Sequence, residues 1–185
     1  MTQAAKRRRN HTAPERAGGN LLSLLATVAL IIVGFYYVFP AVTSGDWLWF
    51  STRFDAQPRS ITVINRGERT EIGPADPRFR ALVAAFNASI TGGYRNASLG
   101  FSDETWEVVD RNGLLVEAAY TEPVRLHIRG GFEPTNRLGI LVSGKNIHTT
   151  QVLFRSNAAD WSPLPLVLND VAPLKSELTR QGLAD

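Results

Sequence analysis

Between Ala17 and Gly45 the chain carries no charged side chain, and within that stretch Leu21 to Val42 reads LLSLLATVALIIVGFYYVFPAV. As a helix this run is roughly 33 Å long at about 1.5 Å per residue, close to the hydrocarbon core of a bilayer at about 30 Å. A buried helix of a globular protein this long shows a polar stripe at 3.6-residue spacing. Here only Ser23, Thr27, Tyr36 and Tyr37 interrupt the apolar run. The segment is therefore expected to cross a membrane once, and everything else in the chain is read around it.

Charge sets the expected direction of crossing. The chain holds 20 Lys and Arg against 17 Asp and Glu. Its first twenty residues carry Lys6, Arg7, Arg8, Arg9 and Arg16 against Glu15 alone, so the remainder is close to neutral. Just past the apolar run stand Asp46 and Asp55 with Arg53 and, later, Arg59. Positive charge is retained on the cytoplasmic side, so the expectation is a cell-membrane protein with a cytoplasmic N-terminus and an extracytoplasmic C-terminal domain. Aromatic side chains crowd the far end of the run, as expected where amphipathic rings sit at headgroup level. Arg7, Arg8, Arg9, Tyr36, Tyr37, Trp47 and Trp49 are the expected membrane-interface residues. A cleaved signal peptide shares the basic start. It is disfavoured because the run exceeds the usual apolar region of about 7–15 residues and no A-x-A site comes after it; Val42-Thr43-Ser44 is a poor substitute.

The expected organisation is a basic arm over 1–20, a transmembrane helix over 21–42, a membrane-proximal linker over 43–59 and one domain over 60–185. The chain has no cysteine. That excludes disulfides, thiolate metal sites and cysteine nucleophiles, and leaves packing to hold the domain together. ITVIN and RTEI around Arg66-Gly67 predict a hairpin. Asp76-Pro77 predicts a helix start with Asp as cap, then Phe79, Leu82, Val83, Phe86 and Ile90 on one face and a stop at Gly92-Gly93. Ser102 is expected to cap a second helix through DETWEVVDR. LLVEAAY and PVRLHI predict strands, the latter with Val124, Leu126 and Ile128 alternating against Arg125, His127 and Arg129. RLGILVSG and TTQVLFR predict a second hairpin around Gly144-Lys145-Asn146, LPLVL one more short strand, and Asn169 or Asp170 with Pro173 a final helix. The fold class expected is α+β: a mostly antiparallel sheet with two to three helices on one face.

No catalytic string emerges. G-x-S-x-G and S-x-x-K are missing, and Ser143-Gly144-Lys145 reads as a hairpin turn. H-E-x-x-H is missing, and His11, His127 and His148 lie far apart, with the last two expected as exposed strand residues. Asp103, Glu104, Glu107 and Asp110 are expected as the solvated face of a short helix, since the calcium-loop pattern is missing. Gly92-Gly93 and Gly130-Gly131 lack phosphate-loop spacing. No cofactor and no metal are expected, and nucleic acid is not an expected partner because the basic charge lies outside the folded part. Asn87-Ala88-Ser89 and Asn96-Ala97-Ser98 match the glycosylation acceptor pattern.

The functional expectation is a non-enzymatic interaction module: an accessory or regulatory subunit that touches the lipid bilayer and another membrane or envelope protein. Ser23 and Thr27, one turn apart, would allow a partner helix close approach. The alternative is an extracytoplasmic enzyme or small-ligand receptor whose site gathers distant residues such as Glu117, Arg125, His127 and His148. A third reading has the basic arm bind anionic lipid, at roughly 1 kcal/mol per basic residue.

Overall fold

The computed structural model describes residues 17–97, 101–127, 134–144, 151–156, 161 and 165–184. The apolar run forms one helix, α1 (Ala17–Ser44), with Pro40 in its last turns. It is long and apolar enough to cross a membrane, and none of its most apolar stretch is buried against the rest of the protein. Its exposed leucine, isoleucine, valine and aromatic side chains have no polar face to offer water.

Beyond α1 the segment 51–59 is extended and tied down. Phe54 N donates to Thr91 Oγ1 and that hydroxyl in turn donates to Phe54 O, both at 3.2 Å, while Asn87 Nδ2 donates to Ala56 O at 3.0 Å. Arg59 N then reaches Ala119 O at 2.7 Å and feeds the chain into the sheet. Next is the hairpin of β1 (Ser60–Asn65) and β2 (Glu68–Ile72). It turns through Arg66 and Gly67, both at positive φ, as a two-residue turn matched to the strand twist requires.

Helix α2 (Phe79–Thr91) buries Phe79, Leu82, Val83, Phe86 and Ile90, the stripe its spacing predicts. It starts later than expected: Asp76 caps a preceding turn, accepting from Arg78 N at 2.8 Å, and Pro77 lies in that turn rather than at the first helical position. The carboxylate also takes the Arg78 guanidinium at 2.7 Å, and this bond holds its pKa down at about 2. Next come β3 (Tyr94–Asn96) and α3 (Asp103–Asn112), whose expected cap is present, Ser102 Oγ accepting from Thr105 N. β4 (Gly113–Val124), β5 (Thr135–Gly144), β6 (Val152–Ser156), β7 (Leu166–Leu168) and α4 (Ala172–Arg180) complete the order.

The strands make one seven-stranded antiparallel sheet in the order β2-β1-β4-β5-β6-β7-β3. PVRLHI is not a separate strand. β4 runs unbroken to Val124, and the chain leaves the sheet at Arg125 even though Leu126 stays buried. β3, which had no sequence signal, pairs with β7 at the sheet edge.

Alternation along the strands gives the sheet two working faces. Ile61, Val63, Val116, Ala118, Leu138, Ile140, Val142 and Leu153 point to one, beneath α2 and α4. Ile64, Leu115, Leu141, Val152 and Phe154 point to the other, beneath Val109 and Trp106 of α3 and the ring of Trp161. The expectation of helices on a single face is corrected on this point: β4 and β5 carry apolar residues at successive positions, so α3 is needed to dry the second face. Gly139 lies on that face with Trp161 laid over it, so close that a Cβ would stand 2.8 Å from the ring.

Phe86→Ala, which opens a void between α2 and the sheet, should lower unfolding free energy by about 3–5 kcal/mol, read by denaturant titration in detergent. Because the Asp76 carboxyl titrates near 2 rather than its ordinary 3.8, its stabilising share is present above 3.8 and is lost as pH falls through about 2. Asp76→Asn should therefore be less stable than the parent at pH 5 and converge with it as acid titration passes through that window.

Candidate functional site

Among the described residues, the most heavily constructed polar site is the place where α1 leaves its helical path. An α-helix ends with carbonyls that have no partner of their own, and a residue in the left-handed region lets the chain turn back over them. Gly45 supplies this at φ +64°, and Asp46 N bonds back to Ala41 O at 3.1 Å. The chain then descends beside the helix it has just left. Trp49 Nε1 donates to Tyr37 O at 3.3 Å, and Tyr37 OH donates to Trp47 O at 3.2 Å. The Tyr37 ring lies 6.5 Å from Trp47 and 5.7 Å from Phe50, and Ser51 N closes the turn on Leu48 O at 2.7 Å.

Asp46 links this hook to the sheet domain. The residue is only 6% exposed; its Oδ1 accepts from Leu48 N at 2.9 Å, and both oxygens lie 3.0 Å from His127 Nδ1. A carboxylate only accepts, so His127 Nδ1 is the donor. Arg125 Nη1 donates to Gly45 O at 3.3 Å, and Tyr94 OH donates to His127 O at 2.7 Å. Burial, with the Asp46 charge nearby, pushes the Tyr94 hydroxyl up to about 12, so it stays a donor throughout the physiological range. Three elements thus converge on the helix exit: Asp46 from the hook, Arg125 and His127 from the chain just past β4, and Tyr94 from the edge strand β3.

Of the residues expected at a membrane interface, the structure brings Tyr37, Trp47 and Trp49 together. Tyr36 points elsewhere on α1, edge-on to Phe35 at 6.3 Å. Arg7, Arg8 and Arg9 lie outside the described residues. His127 is not the exposed strand residue it was expected to be, because the strand ends at Val124 and the Asp46 carboxylate meets its ring. His148 and Lys145 lie outside the described residues. Glu117 is on the second face of the sheet, paired with Arg137 at 2.9 Å, and the Arg137 guanidinium rides over Trp161 at 4.8 Å. Glu117 therefore does not share a site with Arg125 and His127.

The acidic run on α3 stays on its solvent side: Glu107 pairs with Arg111 at 2.8 Å and Asp110 with Arg69 at 3.6 Å, all well exposed. Among the described residues no three His, Asp or Glu side chains gather to hold a metal. Thr27 Oγ1 donates to Ser23 O at 2.9 Å within α1. Of the two acceptor asparagines, Asn87 is committed to Ala56 O and its Oδ1 is buried, so a glycan there is incompatible with this packing, while Asn96 is exposed. Sequence reasoning missed Asp46, Arg125 and Tyr94 as contacts of the helix exit. Gly-Asp directly after the apolar run was the available signal for the first; nothing local marked the other two.

At the opposite end of β4 is a cleft of about 590 Å³, bordered by Asn65, Arg66, Asn112, Ser143 and Ala184. Twelve residues of strand separate it from the helix exit, roughly 36 Å at about 3.3 Å per residue.

Compared with protein-family models, characterised proteins and solved structures, the chain matches none.

Replacing His127 by Ala leaves a buried carboxylate with Leu48 N as its remaining partner, at a cost of about 1–3 kcal/mol. Spin labels at Val42 and Glu122 should report a single narrow distance in the parent and a broadened distribution in His127→Ala. An unchanged distribution would show that the contact does not fix the domain on the helix.

Proposed function

We propose that this chain is a single-pass membrane protein whose basic arm stays in the cytoplasm and whose α+β domain works on the opposite side as an interaction module, an accessory or regulatory subunit of a membrane or envelope complex. The observation that carries this reading is the junction at Asp46. A catalytic domain needs its membrane only as a tether, and a free linker suffices for that. Here the helix exit is bonded to the domain through His127, Arg125 and Tyr94, which gives the domain one orientation relative to α1. Fixed orientation matters to a module that must meet a neighbour in the same bilayer, because it removes the rotational freedom that docking would otherwise have to suppress.

The scatter of the chemical candidates supports the same reading. The described polar residues that an enzyme or receptor would have gathered are engaged separately, Glu117 with Arg137 and His127 with Asp46. The ligand-binding alternative retains one observation in its favour, the polar cleft beside Asn65, Arg66 and Ser143.

Two measurements test the proposal. Since the chain has no cysteine, Thr2→Cys and Glu122→Cys each give a single thiol for a membrane-impermeant maleimide. Glu122→Cys should label in intact cells and Thr2→Cys only after permeabilisation; the reverse pattern defeats the orientation. Affinity purification from gently solubilised membranes should bring down a defined membrane protein with the full chain and not with a variant lacking residues 60–185. Recovery of the protein alone, as a monomer, would count against the interaction reading and turn attention to ligands for the cleft.

A further inference from the structure

Among the described residues, the exposed large apolar side chains are confined to one region. Every one of them lies between Leu21 and Phe50. Most belong to α1, but Trp47, Leu48 and Phe50 do not. They sit on the hook after Gly45, at 56%, 51% and 57% exposure. A soluble domain would have turned three neighbouring apolar side chains inward, and this one has a core nearby that accepts Phe54 only four residues later.

The hook's hydrogen bonds say where along the helix these side chains are held. Trp47, Trp49 and Phe50 are fastened to Tyr37, which lies seven residues before the end of α1, about 10 Å below it at about 1.5 Å per residue. Meanwhile Pro40 and Ala41 are buried and Ser44 is partly covered, so one side of the last helical turns is already inside protein. The stretch of α1 from Leu21 up to Tyr37, where the hook begins to cover it, is then about 25 Å at about 1.5 Å per residue, a little shorter than a hydrocarbon core of about 30 Å.

Irregular backbone survives at that depth only if its polar groups have partners. In the hook several do: Asp46 N on Ala41 O, Leu48 N on Asp46 Oδ1, Ser51 N on Leu48 O, Trp49 Nε1 on Tyr37 O and Tyr37 OH on Trp47 O. Three to five residues further on the chain is back in water, where Arg53 and Asp55 pair at 3.2 Å with both side chains largely exposed.

We infer that residues 47–50 form an aromatic collar that folds back along α1 into the boundary between lipid headgroups and acyl chains, so that the bilayer ends at the level of Tyr37 and the last two turns of α1 belong to the domain. The occupant of the collar's outer surface is lipid, continuous with the lipid around α1. This rests on the membrane-spanning reading of α1 and adds a depth to it: the domain is seated on the membrane surface instead of standing off on a stalk. Trp47, Leu48 and Phe50 are the side chains that touch lipid, and Trp49 holds the hook to the helix.

The test uses full-length protein in phosphatidylcholine–phosphatidylglycerol vesicles whose acyl chains carry bromine either near the headgroup end or near the midplane. Bromine quenches indole emission on contact. The emission that disappears in Trp47→Phe is the share of Trp47, and Leu30→Trp adds an indole inside the span as a depth reference. The Trp47 share should be quenched most by the shallow bromines, and the added indole at position 30 by the deep ones. If the added indole is quenched and the Trp47 share by neither lipid, the collar is wrong while the anchor stands. Strongest quenching of Trp47 by midplane bromine overturns the boundary placement. If neither indole responds, the anchor itself fails and the collar with it.

Discussion

The contact between the Asp46 carboxylate and the His127 imidazole joins two parts of the chain that live by different rules. Below it, α1 presents apolar side chains outward and satisfies its backbone internally, which suits a hydrocarbon solvent. Above it, the sheet turns apolar side chains inward and leaves Arg, Glu and Asp outside, which suits water. A chain whose outward surface changes character in this way needs a joint, and the joint must satisfy the open carbonyls at the helix end. Gly45 lets the backbone turn, Arg125 takes the Gly45 carbonyl, and Asp46 receives one donor from its own hook and one from the domain. The cost of burying that carboxylate is offset only while both donors stay in place.

The sheet is shaped by a second constraint, its two apolar faces. β1, β4 and β5 carry hydrophobic residues at neighbouring positions, so an antiparallel sheet that could have left one face wet must cover both. The thick layer of α2 and α4 covers one side. The other is closed by smaller means: α3, packed straight onto the start of β4, and a cluster in which Trp106 and Trp161 lie nearly parallel, 6.2 Å apart, with Phe154 and Phe101 beside them. Gly139 is flat enough for Trp161 to lie on it, and the Arg137 guanidinium lies over that ring while pairing with Glu117. Glu117 and Arg137, which look like site residues in isolation, are the rim of this second core.

Much of the fold was legible where a pattern repeats over a helix or a turn has its own chemistry. α2 shows the stripe its spacing predicts, Ser102 caps α3, and Arg66-Gly67 turns the first hairpin, because each of these depends on residues a few positions apart. The start of α2 was misplaced by two residues because Asp76 can cap a turn as readily as a helix. β3 was missed because three residues, Tyr94 to Asn96, become a strand only when β7 offers a partner. The exit from β4 was missed because Leu126 continues the burial alternation after the hydrogen-bond ladder has stopped.

The sequence alone determined that one segment is long and apolar enough to cross a membrane, that its flanks differ in charge, and that the chain beyond it builds an α+β domain without cysteine. These are matters of composition and short period, and no tertiary contact alters them. Only the tertiary structure decided that Trp47 and Trp49 fold back against Tyr37, and that His127 meets Asp46 across 81 positions of chain with Tyr94 bonded to its carbonyl. It also decided that Glu117 faces away from them. Contacts at that separation are set by strand register and by the order of strands in the sheet, which a single chain read in one dimension does not specify.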